Sequence, residues 1–273
     1  MPDFLTVCVE AARAGGDVLL DWQDRFGVRE KGPKDLVTEA DVAAQEAIRA
    51  VLLCAFPDHD FLGEEEAAER TAAGQAAIPS RRGEYRWIVD PLDGTANYVH
   101  RLQTYAVSVA LERAGELICG CVWDPISKEC FTAVNGKGSQ LNGRPIRVSP
   151  CQRLDRAMVA VSFSANVARG SIEITRFVEV LHACQSVRRL GSAALNLCYV
   201  AAGRLDAYWA TSVQAWDIAA GALIAREAGS TVTGMDGGPL DVMRAELSAS
   251  STPQLHDELM QLLRRAELVH GLK

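Results

Sequence analysis

Between residues 87 and 97 the chain reads Trp-Ile-Val-Asp-Pro-Leu-Asp-Gly-Thr-Ala-Asn, and no other stretch restricts the fold as tightly. Arg86–Val89 has the character of a buried strand, and it delivers Asp90 at its C-terminal end. Pro91 has no N–H for a ladder and is expected to stop the pairing there. If the chain turns over 91–93, the carboxylates of Asp90 and Asp93 and the carbonyl of Leu92 converge on one point. Hard cations such as Mg²⁺ take such oxygen ligands. Gly94-Thr95 then opens a helix whose free N–H groups face an anion. Metal ligands beside phosphate-binding amides point to metal-assisted phosphoryl transfer. Asp-Gly is also a common turn, and Asp-Pro a common loop start, so the segment alone leaves both readings open.

The surrounding pattern alternates helix and strand. Phe4, Leu5, Cys8, Ala11, Ala12, Val18, Leu19 and Trp22 recur at helical spacing, and a second amphipathic helix is expected over Thr38–Leu53, ahead of Pro57. Glu64–Ser80 is read as an exposed loop. Strands follow at Thr104–Leu111 and Leu117–Trp123, and at Glu129–Val134 and Ser139–Leu141 around the turn Asn135–Gly138, with Ile146–Val148 after a second turn. Beyond Ser149, strands at Met158–Ser162, Arg188–Leu190, Leu205–Trp209 and Thr231–Thr233 alternate with helices at Ser171–Cys184, Gly191–Ala202, Asp217–Ala228 and Pro253–Leu268. This is a layered α/β (α+β) pattern with mixed sheets. It divides into 1–149, a helix pair and a meander, and 150–273, an alternating half.

Composition removes several classes. With 273 residues and 48% hydrophobic, the chain can bury a sizeable core as one large domain or two intimate ones. The formal charge of −7 disfavours nonspecific nucleic-acid binding. Apolar runs such as Leu197–Ala202 and Ile218–Ala225 fall short of the ~18 residues a spanning helix needs. Asp3 precedes the first base, Arg13, which is unlike a secretory leader, so a cytoplasmic protein is expected. The eight cysteines include no Cys-x-x-Cys and are expected to be reduced, small hydrophobes. The five histidines form no ligand-like pair.

Two further segments bear on the chemistry. Phe61-Leu62-Gly63-Glu64-Glu65 sets acids after a short apolar strand, and Trp216-Asp217 opens a helix of small residues. Alone, Glu64-Glu65 is equally a solvated loop and Asp217 equally a helix cap. Together with the central motif they resemble the inositol monophosphatase family of Mg²⁺-dependent, lithium-sensitive sugar phosphatases. Asp35-Leu36-Val37-Thr38-Glu39-Ala40-Asp41 resembles its early D-L-V-T-x-x-D. Gly63-Glu64-Glu65 resembles its G-E-E, Asp90–Thr95 its D-P-L-D-G-T, and Gly191-Ser192-Ala193 its G-S/T-A. Trp216-Asp217 with Ala220-Gly221 and Glu227-Ala228-Gly229 is similar to its C-terminal signature.

That resemblance implies an αβαβα sandwich of the sugar-phosphatase type and a homodimer. It implies one Mg²⁺ on Glu64, Asp90 and the Leu92 carbonyl, a second on Asp90, Asp93 and Asp217, and a third, weaker ion that Asp41 helps to hold through water. Glu64 and Thr95 would orient the attacking water, with Asp41 as a supporting catalytic group. The Gly94 and Thr95 amides would receive the phosphate of a small phosphorylated metabolite. Asp93, Gly191, Ser192, Ala193 and Asp217 would border the substrate, as would position 210. There the inositol phosphatases carry a Glu that contacts a substrate hydroxyl, whereas this chain has Ala210. The expected activity is hydrolysis of a polyol phosphate resembling inositol 1-phosphate, or else of phosphoadenosine phosphate, fructose 1,6-bisphosphate or histidinol phosphate. A regulatory protein on the same scaffold is the non-catalytic alternative. The covalent Asp-x-Asp-Gly-Thr phosphatases are disfavoured, because Pro91 stands two residues before Asp93.

Overall fold

A computed structural model describes residues 3–271 except Asp24, Pro33, Lys34, Arg82, Ala165 and Ala245. The first half runs α1 (Phe4–Trp22), β1 (Val28–Gly32), β2 (Asp35–Thr38), α2 (Glu39–Ala55), β3 (Asp60–Gly63), α3 (Glu64–Ala72), β4 (Tyr85–Asp93) and α4 (Thr95–Val99). It closes with β5 (Ala106–Arg113), β6 (Glu116–Asp124), β7 (Glu129–Val134), β8 (Ser139–Leu141) and β9 (Arg144–Pro145). The second half runs β10 (Met158–Ser162), α5 (Ile172–Ala183), β11 (Ser186–Arg188), α6 (Ala193–Ala201), β12 (Ala207–Thr211), α7 (Ala215–Glu227), β13 (Thr231–Thr233), β14 (Glu246–Ser250) and α8 (Pro253–Gly271).

Side-chain alternation builds five layers from these elements. Strands β3 to β9 form one seven-stranded sheet in sequence order, and the second sheet has the order β11-β10-β12-β14-β13. On β4, Trp87 and Val89 face the core under α1 and α2, whereas Ile88 faces α6 and α7, as the two-residue period of a strand requires. The opposite side of α6 and α7 packs on Tyr208, Ala210, Leu247 and Ala249 of the second sheet. Val159, Val161 and Trp209 point the other way, against Val180 of α5 and Leu255 and Leu259 of α8. The result is αβαβα, as expected, with α7 enclosed between two sheets. Such a helix must be apolar all round and slim. Its Ala-Ala-Gly-Ala run satisfies both demands: a Cβ on Gly120 of β6 would lie only 3.1 Å from the Ala220 Cα. The 149/150 division falls in extended chain between β9 and β10, while the core between the sheets takes residues from both halves.

Two expectations are corrected. Residues 64–72 form α3 rather than loop: Glu64, Glu65 and Glu66 occupy its first turn, where the helix dipole favours acids, and Glu65 and Ala67 are buried. Pro91 does not end β4. The strand bulges, pairing Asp90 with Ser108 and Asp93 with Ala106, so that Pro91 and Leu92 together oppose Val107 alone. Asp90 Oδ1 accepts the Leu92 N–H at 2.9 Å and holds the bulge. Among the described residues no helix is long and apolar enough to cross a membrane, and the eight cysteines are all free.

Candidate active site

The bulge places two carboxylates and the chain reversal after them at one end of the seven-stranded sheet. Gly94 follows with φ 101°, and a Cβ there would sit 2.9 Å from the Thr104 carbonyl, so only glycine fits. Asn97, whose place in the motif carried no role, donates from Nδ2 to Thr104 O (2.6 Å) and Leu190 O (2.7 Å). This side chain clamps the β4–α4 turn onto the turn before α6. Beside it, Asp93 meets the N-terminus of α6: its carboxylate accepts from Ser192 Oγ and from the Ala193 and Ala194 N–H groups (3.2 and 2.7 Å).

Two acids arrive as helix caps. Thr38 and Asp41 form a capping box on α2, with Thr38 N–H donating to Asp41 Oδ2 at 2.8 Å. The other oxygen, Oδ1, accepts from Thr95 Oγ1 at 3.2 Å, and that hydroxyl also lies 3.1 Å from the Leu92 carbonyl. Asp217 is the third residue of α7, and its Oδ2 accepts the Gln214 N–H at 2.7 Å. Each side chain thus caps a helix, and that of Asp41 reaches Thr95 as well. Glu64 opens α3, where Gln45 fastens the following N–H, of Glu65, at 3.0 Å.

These groups line one cleft of about 1320 Å³. Glu64, Asp90, Leu92, Asp93, Gly94, Thr95, Gly191, Ala193 and Asp217 all reach it. Asp41 and Ser192 stand behind the wall, hydrogen-bonded to Thr95 and Asp93. Ala210 is fully buried and lies off the cleft surface. Ser162, Phe163, Arg189 and Gln214 line the cleft without any local motif that announces them.

Burial first, then the charges of Glu64, Asp93 and Asp217, hold the Asp90 carboxyl well above the usual range. Asp217 is raised by burial, Asp93 and Glu64 in the same way. Burial pushes Asp93 up to about 6, against the opposing pull of its Ser192, Ala194 and Ala193 hydrogen bonds. Mutual repulsion of this kind is what a divalent cation relieves, and an all-oxygen donor set suits a hard one. Among the described residues no three His, Cys, Asp or Glu side chains are already gathered as a cage. Asp93 and Asp217 each turn at least one oxygen to protein donors instead.

A five-layered α/β sandwich with acids converging on a cleft beside a strand-to-helix turn is an arrangement suited to metal-assisted phosphatase chemistry. The chain belongs to the inositol monophosphatase family, whose model matches residues 2–268. It is 41% identical to the inositol-1-monophosphatase of Mesorhizobium japonicum over 86% of each chain, and 36% identical to the Nus factor SuhB of Vibrio cholerae over 97% of each. The solved Thermotoga maritima IMPase superposes with a TM-score of 0.86 at 32% identity, covering 99% of this chain and 100% of the other. The protein is accordingly a phosphoric monoester hydrolase.

Proposed function

We propose that the protein is a Mg²⁺-dependent phosphomonoesterase that hydrolyses a small phosphorylated metabolite with water as the nucleophile. The observation that carries this reading is the buried Asp90 carboxyl set among the charges of Glu64, Asp93 and Asp217. Ionised, these four acids carry about −4, which two Mg²⁺ neutralise, leaving a site that accepts a phosphate dianion. Glu64, Asp90 and the Leu92 carbonyl would hold one ion and Asp90, Asp93 and Asp217 another, with Asp41 supporting a third through water. Bound Mg²⁺ would supply Lewis-acid polarisation of the phosphate and a lowered pKa for water.

The protein's own part is positioning. Asp41 and the Leu92 carbonyl fix the Thr95 hydroxyl, which with Glu64 orients the incoming water. The Gly94 and Thr95 amides receive phosphate oxygens, and the α6 N-terminus keeps Asp93 in place. Polyol phosphates of the inositol 1-phosphate kind are the first substrate class; phosphoadenosine phosphate, fructose 1,6-bisphosphate and histidinol phosphate are the others. By the same resemblance, Li⁺ inhibits at millimolar levels and the protein is a cytoplasmic homodimer. The name Nus factor, carried by the Vibrio cholerae relative, favours a second reading, a regulatory role on this scaffold.

The test is phosphate release from this panel. Mg²⁺ or Mn²⁺ should activate, EDTA should abolish turnover, and a chiral phosphate ester should react with inversion. Full activity after metal stripping, or a trapped phosphoenzyme, would refute the mechanism.

A further inference from the structure

The cleft has two chemically different sides. Its phosphate side is acidic. Another wall, built by the segments after β10, β11 and β12, presents Ser162, Phe163, Ser164, Arg189, Ser212 and Gln214, with no carboxylate among them. The remaining charged groups of the cleft, Arg29, Glu65 and Glu69, come from β1 and α3. We infer that the leaving group of the natural substrate carries a second anionic group, a carboxylate or a phosphate, seated against Arg189. The inference rests on the phosphatase reading and narrows its substrate class.

Two observations carry it. The first is how Arg189 is held. Its guanidinium lies 5.5 Å from the centre of the Phe163 ring, and Phe163 stands edge-on against Phe177 and Trp209, each at 5.6 Å. Adjacent Leu190 is pinned through its carbonyl by Asn97. Arg189 is exposed, and among the described residues it makes no ion pair or hydrogen bond. A guanidinium positioned by an aromatic face keeps its donor fork free for a bidentate anion.

The second observation concerns position 210. Ala210 is directly in register with Ser162 on the neighbouring strand. Position 210 is a buried methyl group, and the adjacent cleft group is the Ser162 hydroxyl, held by Tyr208 Oη at 2.9 Å. A carboxylate there would repel an anionic leaving group, whereas a neutral hydroxyl tolerates one. This wall thus sets no carboxylate against an anion and supplies a cation to it.

Matched substrates test this directly. Glycerol 3-phosphate and 3-phosphoglycerate differ by a terminal hydroxymethyl against a carboxylate, and fructose 1-phosphate and fructose 1,6-bisphosphate by a second phosphate. With Mg²⁺, the anionic member of at least one pair should have the higher kcat/KM by about tenfold or more, the scale of a hydrogen bond to a charged group. The pair that shows the preference identifies the group. Arg189→Ala should collapse the ratio by about tenfold, Arg189→Lys less, and added salt should shrink it. Equal or better turnover of both neutral members, or an unchanged ratio in Arg189→Ala, would overturn the inference. No release from any of the four, nor from p-nitrophenyl phosphate, would overturn the phosphatase reading and this inference with it.

Discussion

Asp93 is the residue on which charge and hydrogen bonding meet, and on the proposed reading metal affinity with them. Asp93→Asn removes one charge from the proposed second cation site and sets an amide group opposite the N–H and O–H donors of α6. We expect kcat to fall by at least about 10²-fold, the effect of losing one electrostatic stabiliser. Near-normal kcat with normal Mg²⁺ affinity would reduce Asp93 to a turn residue. Ser192→Ala separates the two roles, because it leaves the carboxylate and deletes one donor to it. A hydrogen bond to a charged group contributes about 1.5–3 kcal/mol, so a smaller, roughly tenfold loss in kcat is expected, with a measurable drop in thermal stability. If Ser192→Ala is as inactive as Asp93→Asn, positioning rather than charge dominates.

At the scale of elements, the close approach of β6 and α7 ties stability to catalysis. Gly120→Val would drive a branched side chain into the Ala220 backbone. Overpacking of this kind costs about 1–3 kcal/mol, and the helix that must yield carries Asp217. A lower urea midpoint together with a reduced kcat is expected; a lower midpoint with unchanged kcat would mean that the sheet yields instead. Which elements could be read from sequence follows similar physics. β7 and β8 fall on Glu129–Val134 and Ser139–Leu141 as expected, because a strong turn separates them. Helix α3 escapes detection since only Glu65 and Ala67 of its nine residues are buried, too few for a periodic signal. β14 is equally hard to see: Glu-Leu-Ser-Ala-Ser looks like loop, yet Ser248 and Ser250 are fully buried between β12 and β13 in the second sheet. Within the site, the cleft acids announce themselves because each sits in a compact motif. Ser162, Arg189 and the clamp of Asn97 become neighbours only through topology, so no local pattern marks them.

For the whole molecule, the acid cluster links pH, metal and stability. Asp93 is raised from the ordinary carboxylate range to about 6, and Asp90 and Asp217 are raised as well. A carboxyl whose folded pKa lies above its unfolded value adds stability that is present at low pH and lost as pH rises through the folded value. The metal-free protein therefore forfeits this contribution from about pH 4 upward through about 6 and beyond. Mg²⁺ competes with those protons, so the rise in Tm on adding Mg²⁺ should grow steadily between pH 5 and pH 8. An equal rise at both ends of that range would show that the ions bind elsewhere.

The enclosure of α7 also bears on the order in which the chain's apolar faces are covered as it is synthesised. Strands β3 to β9 are synthesised long before the helices that cover Ile88, Ala106, Ala110, Val122 and Phe131. Until α6 and α7 emerge, one face of a finished sheet is an open apolar surface, which is the state that nascent chains aggregate from and chaperones hold. Translation that stops short of α7 thus leaves a fragment that is both sticky and without Asp217. The helix that completes the cleft with Asp217 is thus also one that covers that face.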